Sequence, residues 1–277
     1  MNKPIDVLFP NLIKKIKGKS FFFFSDFDGT LAPIRRDPEK VVLSARVRRI
    51  LQALTLRMPV AIISGRPLTY LKKTIDMPEI VLAGNHGLEI ELGQRALRAN
   101  IGKRKRFRHP QAISCQKTIH QLARRISRAF VGTKGARIED KGLTLSFHYR
   151  SVVSTSHEAV FRTFIEIVKP FQAEGLLRVT RGKMCFEVRP NIDWGKEDAM
   201  RWILDAYQEN DPEKSFLPVY MGDDETDKPA IALAKKNGIS IFKGDPILGA
   251  TYCVKSHEDI ILFMRQLITE CLAACRP

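Results

Sequence analysis

The stretch Ser20-Phe-Phe-Phe-Phe-Ser-Asp26-Phe-Asp28-Gly-Thr-Leu31 decides the fold. Four consecutive phenylalanines leave neither side of an extended segment polar. A strand that is apolar on both faces belongs in a parallel sheet with helices on either side. The run ends abruptly in acid, and open parallel sheets bind their ligands beyond the carboxyl ends of their strands. Working outward, Ser44 is placed to cap a helix reaching about Arg57, with Val47, Ile50, Leu51 and Leu54 on one face. Pro59–Ile63 reads as a second buried strand, followed by Ser64-Gly-Arg-Pro67 and another helix. Glu79–Ala83 is a third strand, closed by Gly84-Asn-His-Gly87. Strand alternating with helix predicts an α/β core with a parallel sheet.

The rhythm breaks after Ile90. Residues 91–110 are rich in Gly, Arg and Lys, and the run Lys103-Arg-Lys-Arg106 reads as a solvated hinge loop. A helix at about 111–130, strands within 136–150, a helix at about 156–171 and strands within 176–189 follow, an antiparallel α+β pattern. The parallel pattern resumes with a helix at about 196–208 and the apolar strand Phe216–Met221, which ends in Gly222-Asp-Asp224. A helix at Pro229–Lys236, a strand at Ser240–Phe242 and a helix from about 257 complete it, while Leu8–Ile16 reads as a short amphipathic helix. The expected organisation is a core of residues 1–107 and 191–277 with an α+β domain, 108–190, inserted between its halves.

Composition narrows the class. The chain has 277 residues, 44% of them hydrophobic, and 46 Lys+Arg against 30 Asp+Glu for a net charge of +16. That is ample material for a core and excludes global disorder or a coiled coil. No apolar run approaches the ~20 residues of a membrane span, and lysines interrupt any leader-like segment after Met1. Five scattered cysteines without a C-x-x-C pair fit reduced thiols, hence a cytoplasmic protein. Cys271 and Cys275 fall on one helical face and read as packing. The positive charge by itself points to nucleic acid or an acidic substrate. Only Phe107 accompanies the basic run as a stacking residue, so nucleic acid is the minority reading.

Chemistry enters at the strand ends. Asp26-Phe-Asp28-Gly-Thr30 and Gly222-Asp-Asp-Glu-Thr-Asp227 each follow a buried strand, and carboxylates converging there repel unless a cation lies between them. A hard cation such as magnesium, taking carboxylates and substrate phosphate, is the natural partner. A carboxylate can attack phosphorus, and an acid two residues on can serve as proton donor and then base. Ser64, before a helix N-terminus, offers a hydroxyl and neighbouring N–H groups, and Lys196 is a candidate phosphate ligand at a helix start, where a plain surface lysine is the reading its position alone favours.

These four segments, in this order, resemble the haloacid dehalogenase superfamily of aspartate-nucleophile phosphotransferases. Ile62-Ile-Ser-Gly-Arg-Pro67, Ala83-Gly-Asn-His-Gly-Leu-Glu89, Ser146-Phe-His-Tyr-Arg150, Gly182-Lys-Met-Cys-Phe-Glu-Val-Arg-Pro190 and Gly222–Asp227 are similar to signatures of the trehalose-6-phosphate phosphatases within it. The resemblance implies a Rossmann-like core with a mobile cap, Asp26 as nucleophile and Asp28 as general acid/base. It implies magnesium held by the Asp26 carboxylate, the Asp28 main-chain carbonyl and Asp223, with Asp224 and Asp227 in support, and phosphate gripped by Ser64 and Lys196. It implies substrate contacts from Gly65, Arg66, Asn85 and His86 in the core and from Arg150, Arg181, Lys183 and Glu187 in the cap. Lys183, Cys185 and Glu187 alternate and so share a strand face. For His86, holding its own turn is an equal alternative. A functional link to a trehalose-6-phosphate synthase also follows. Asn85, Glu197 and Lys228-Pro229 depart from the family pattern, and related enzymes hydrolyse sucrose phosphate, glucosylglycerol phosphate or mannosylphosphoglycerate. A non-catalytic basic binding module is the reading from another class.

Overall fold

The computed structural model describes residues 20–35, 38–94, 96, 106–182, 184–209, 215–247 and 249–274. The expected helix at Leu8–Ile16, most of the 103–106 run, Lys183 and Cys275 lie outside them. The chain divides into two compact units, residues 1–107 with 194–277, and 108–193.

The larger unit is built on an eight-stranded sheet. Its strands are β1 (Ser20–Ser25), β2 (Val60–Ile63), β3 (Val81–Gly84), β4 (Glu89–Glu91) and β5 (Arg106–Arg108), then β10 (Phe216–Gly222), β11 (Ile239–Lys243) and β12 (Tyr252–Val254). They lie in the order β12-β11-β10-β1-β2-β3-β4-β5. β1 sits between β10 and β2, parallel to both, and β3 pairs antiparallel with β4. The four phenylalanines divide between two layers. Phe21 and Phe23 pack with Val47, Ile50, Leu51 and Leu54 of α1 (Ala45–Thr55) and with Leu68 and Leu71 of α2 (Leu68–Ile75). Phe22 and Phe24 pack on the opposite side with Ala199, Met200, Ile203 and Tyr207 of α5 (Lys196–Gln208) and Ile231 of α6 (Lys228–Asn237). Helices on both faces thus account for the uninterrupted apolar run, each buried ring contributing about 1.5–3 kcal/mol relative to exposure. Ser44 caps α1 as expected, its hydroxyl accepting the Val47 N–H at 3.2 Å. The final helix, α7 (His257–Ala274), packs Ile260, Phe263 and Leu267 onto the Phe21 side.

The hinge-loop reading of Lys103–Arg106 is corrected at Arg106, the one described residue of that run. Glu89–Glu91 and Arg106–Arg108 join the sheet, and both Arg106 and Lys72 pair with Glu91. The Arg106 charge, read as loop solvation, belongs to an edge strand, where charged side chains are common.

The smaller unit carries a sheet in the order β6-β7-β9-β8: β6 (Arg137–Asp140), β7 (Leu145–His148), β8 (Leu177–Gly182) and β9 (Cys185–Pro190). Every pairing is antiparallel. Helices α3 (Pro110–Ala129) and α4 (His157–Ala173) cover one face, burying Phe147, Phe164, Phe186 and Val188. No described helix is long and apolar enough to cross a membrane.

Candidate active site

The register of the parallel strands delivers the acids to one place. Ser25 pairs with Met221 across β1 and β10, so Asp26 and Gly222-Asp223 leave the sheet side by side. Ser25 also pairs with Ile62, which brings Ser64 to the same edge from β2. One carboxylate oxygen each from Asp26, Asp223 and Asp227 lies within 4.8 Å of the others. Lys196, the first residue of α5, points its side chain back toward the helix N-terminus. Its Nζ donates to Asp26 Oδ1 at 2.7 Å and Asp227 Oδ1 at 2.8 Å.

Burial makes this arrangement electrostatically severe. Asp26 is 5% exposed and Lys196 3%. Desolvation pushes the Asp26 carboxyl well above its ordinary value, Lys196 pulls it back, and Asp227 and Asp223 push it up again. Burial alone would lower the Lys196 ammonium, but Asp227 and Asp26 raise it instead, so it stays charged. Asp223, also desolvated, rises to about 6 despite the hydrogen bond from Thr30. Hard oxygen donors gathered where water is scarce, with Lys196 the one buried lysine among the described residues, suit a divalent cation.

Asp227 is saturated. Its Oδ1 accepts from Lys196 and, at 2.6 Å, from the Tyr220 hydroxyl. Its Oδ2 accepts the Asp223 and Asp224 N–H groups at 3.3 and 3.1 Å. Such a residue organises the strand end and holds Lys196. Asp224 stands apart from the three converging acids, its carboxylate accepting from the Glu225 N–H at a short helical turn.

Gly29 is required where it stands. Its φ of +90° lies in the left-handed region, and a Cβ there would come 2.1 Å from Asp223 Oδ2. Gly29→Ala is expected to cost about 1–3 kcal/mol of stability. Displacing Asp223 is expected to slow turnover about tenfold to a hundredfold. Urea unfolding and phosphate release measure the two effects, and an unchanged rate would separate Asp223 from the chemistry.

The loops at 64–66 and 84–87 interlock. The His86 N–H donates to Ser64 O and the Asn85 N–H to Arg66 O, both at 2.8 Å. Asn85 is fully buried and gives its Nδ2–H to Glu89 Oε1, which also accepts the Leu68 N–H at the start of α2. The His86 ring lies against Gly65, where a Cβ would approach Nε2 to 2.7 Å. Ser64, 1% exposed, accepts the Arg66 N–H at 3.2 Å. Arg66 itself, expected as a substrate contact, grips Asp28 with Nε and Nη2, each at 2.7 Å.

In the smaller unit the expected residues separate by face. Glu187 lies in a cross-strand row with Ser146 and Thr180, on the side opposite Phe147 and Phe186. Arg181 pairs with Phe186, so it lies on the helix-covered side, with its guanidinium 5.6 Å over the Phe161 ring. Arg150 is exposed in the turn after β7. Cys185 shares the Glu187 face, but Met184 before it has a φ of 58°, which interrupts the alternation counted from Lys183.

Sequence reasoning missed Tyr220, Thr30 and Lys243. The Thr30 hydroxyl donates to Asp223 Oδ1 at 2.8 Å, and Lys243 Nζ donates to Gly29 O at 2.5 Å. A signal existed for Tyr220: a tyrosine inside a buried strand needs a partner for its O–H, and the acid motif just beyond that strand supplies one in Asp227.

Comparison with known proteins agrees with this geometry. The trehalose-phosphatase family model matches residues 24–245, from inside β1 to beyond β11. Trehalose-phosphate phosphatase B of Arabidopsis thaliana is 28% identical over 268 residues, covering 94% of this chain and 70% of the plant protein. A relative in Oryza sativa subsp. japonica, named probable trehalose-phosphate phosphatase 2, is 30% identical over 274 residues, covering 94% and 71%. Among solved structures, the C-terminal domain of C. albicans trehalose-6-phosphate phosphatase matches with a TM-score of 0.73 at 22% identity, covering 94% of this chain and 96% of that one. A trehalose-6-phosphate phosphatase related protein matches at 0.74 and 19%, covering 90% and 97%. At those identities the solved structures speak for the fold alone. The family model, spanning both strand-end acid motifs and the lysine between them, settles membership: the chain belongs to the trehalose-phosphatase family, phosphoric monoester hydrolases of the haloacid dehalogenase type.

Proposed function

We propose that this chain hydrolyses trehalose 6-phosphate to trehalose and phosphate through an aspartyl-phosphate on Asp26. The observation that carries the reading is the buried cluster of Asp26, Asp223, Asp227 and Lys196 at the carboxyl ends of β1 and β10, in a chain of this family. An Asp26 oxygen attacks phosphorus and the bond from phosphorus to the sugar oxygen breaks. Asp28 gives that oxygen a proton, then takes one from the water that cleaves the aspartyl-phosphate and frees Asp26. Ser64 and Lys196 hold the phosphoryl oxygens. Asp26, Asp223 and the Asp28 carbonyl would hold magnesium, which neutralises charge on the phosphoryl group when bound. Residues 108–190 serve as the cap, with Glu187 and Lys183 reading the sugar. The substrate would be supplied by a synthase that joins two glucose units with the phosphate in place, in the cytoplasm.

The test is a panel of phosphorylated sugars assayed with magnesium. Trehalose 6-phosphate is expected to give the highest kcat/KM. Faster release from sucrose phosphate, glucosylglycerol phosphate or mannosylphosphoglycerate would move the assignment to that sugar.

Metal binding has a readout independent of turnover. A carboxyl raised in the folded state favours the protonated fold. The contribution from Asp223 is therefore most favourable below its ordinary value of 3.8 and is lost as pH rises through about 6; Asp26 shifts in the same direction. Magnesium should offset that loss. At about 10 mM it is expected to raise the Tm clearly at pH 7.5 and much less near pH 5, where protons compete for the same oxygens. Equal shifts at both pH values in a thermal melt would argue against these ligands.

A further inference from the structure

Asp28 occupies a loop, and its side chain is 30% exposed. Among the described residues, the only group bonded to its carboxylate is the Arg66 guanidinium, with Nε on Oδ2 and Nη2 on Oδ1, both at 2.7 Å. Two parallel N–H···O bonds fix the plane of a carboxylate as well as its position, which one point charge does not. The guanidinium is held in turn. It lies 4.6 Å over the Tyr70 ring, and the Tyr70 hydroxyl donates to Val41 O at 3.0 Å. The Tyr70 ring also meets Phe27, between Asp26 and Asp28, edge-on at 6.4 Å. The Arg66 main chain is clamped on both sides, its N–H to Ser64 Oγ and its carbonyl to the Asn85 N–H. The Arg66 side chain is 11% exposed, so a rigid, largely buried fork reaches from the β2–α2 loop to an acid on the β1 loop.

We propose that Arg66 is a positioning residue for the proton transfers of Asp28, rather than a contact to the sugar phosphate. The inference rests on the acid/base role proposed for Asp28. Proton transfer to a leaving oxygen is sensitive to the placement of the donor, and a small displacement is enough to slow it. A lone Asp28 side chain, partly exposed on its loop, would sample several rotamers. The Arg66 fork selects one, and the Tyr70 ring and the interlocked 64–66 and 84–87 loops keep the fork in place.

The signature of this role is dependence on the leaving group. A sugar alkoxide needs a proton as it departs, whereas p-nitrophenolate leaves without one. In Arg66→Ala, kcat for trehalose 6-phosphate is expected to fall about tenfold to a hundredfold. For p-nitrophenyl phosphate it is expected to fall several times less, and KM for the sugar phosphate should change little. Arg66→Lys, which can hold only one oxygen at a time, should fall between Arg66→Ala and the native enzyme. Arg66→Gln provides a second variant if the alanine protein fails to melt cooperatively. Equal losses on the two esters, or a raised KM with kcat unchanged, would overturn the proposal; the second result would return Arg66 to substrate binding. Asp28→Asn, measured beside them, should show the same asymmetry more strongly. If it does not, the acid/base role of Asp28 fails as well; if Asp28→Asn shows the asymmetry and the Arg66 variants do not, only the positioning role fails.

Discussion

Asp26→Asn is expected to lower phosphate release from trehalose 6-phosphate by at least about 10⁴-fold while the protein still folds. The side chains have nearly the same shape, so the change tests chemistry rather than packing. An amide oxygen is a far weaker nucleophile toward phosphorus than a carboxylate, and no aspartyl-phosphate can form on it. The neighbouring acids do not substitute. Asp227 is saturated by Lys196, Tyr220 and two backbone N–H groups, and Asp223 is held by Thr30. Stability should change little because two effects oppose each other. The asparagine escapes the desolvation and the repulsion from Asp227 and Asp223 that raise the Asp26 carboxyl. It weakens the charge-assisted bond from Lys196, although its Oδ1 can still accept that bond. The net change should stay within about 2 kcal/mol in denaturant unfolding. Turnover within a hundredfold of the native enzyme would remove Asp26 as the nucleophile.

The legibility of the chain followed how local each cause was. β1 could be read because four adjacent phenylalanines admit one explanation, and α1 because Val47, Ile50, Leu51 and Leu54 keep the helical period. β4, β5 and β12 could not. Each is three residues long, and Glu-Ile-Glu and Arg-Phe-Arg carry a single apolar side chain between charges, a pattern equally suited to loop. The acid cluster was legible from strand-end placement, but its lysine only through the family resemblance, because a lysine at a helix start reads by itself as a surface residue. Partner choice within the site was not. Nothing in Ser64-Gly-Arg66 indicates that the guanidinium turns to Asp28, because that depends on how two loops meet. In the smaller unit Cys185 and Glu187 share a face as the alternation predicts, but the side taken by Arg181 was not legible. Gly182 pairs with Cys185 across a tight turn, so Arg181 shares a side with Phe186 rather than with Glu187, as an uninterrupted alternation would have placed it.

Lys196→Ala is expected to cost the site more stability than Asp26→Asn does, and to lower activity as well. Lys196 is the one cation bonded to both Asp26 and Asp227 among the described residues, at 2.7 and 2.8 Å, and all three are nearly or fully buried. Removing one member of a buried ion network leaves the remaining charges uncompensated, a loss of about 3–5 kcal/mol. Part of any alanine effect is the cavity, so Lys196→Met, which keeps most of the volume, isolates the charge. If the ion network is responsible, Met should recover only a minor part of the loss. A methionine variant as stable as the native protein would show that packing, not charge, is what Lys196 contributes. The pH dependence gives an independent sign. Without the ammonium, the factor that lowers the Asp26 carboxyl is gone while burial, Asp227 and Asp223 still raise it. The folded variant therefore takes up protons more readily than the unfolded chain, and its deficit should shrink as pH falls from 8 toward 5. Turnover should fall about a thousandfold or more in both variants, because the phosphoryl oxygens lose their buried cation where reorganising water cannot replace it. Magnesium should narrow the stability gap at neutral pH without restoring the rate, since a cation shared by Asp26 and Asp223 relieves repulsion yet leaves the Lys196 position beside Asp227 without its charge.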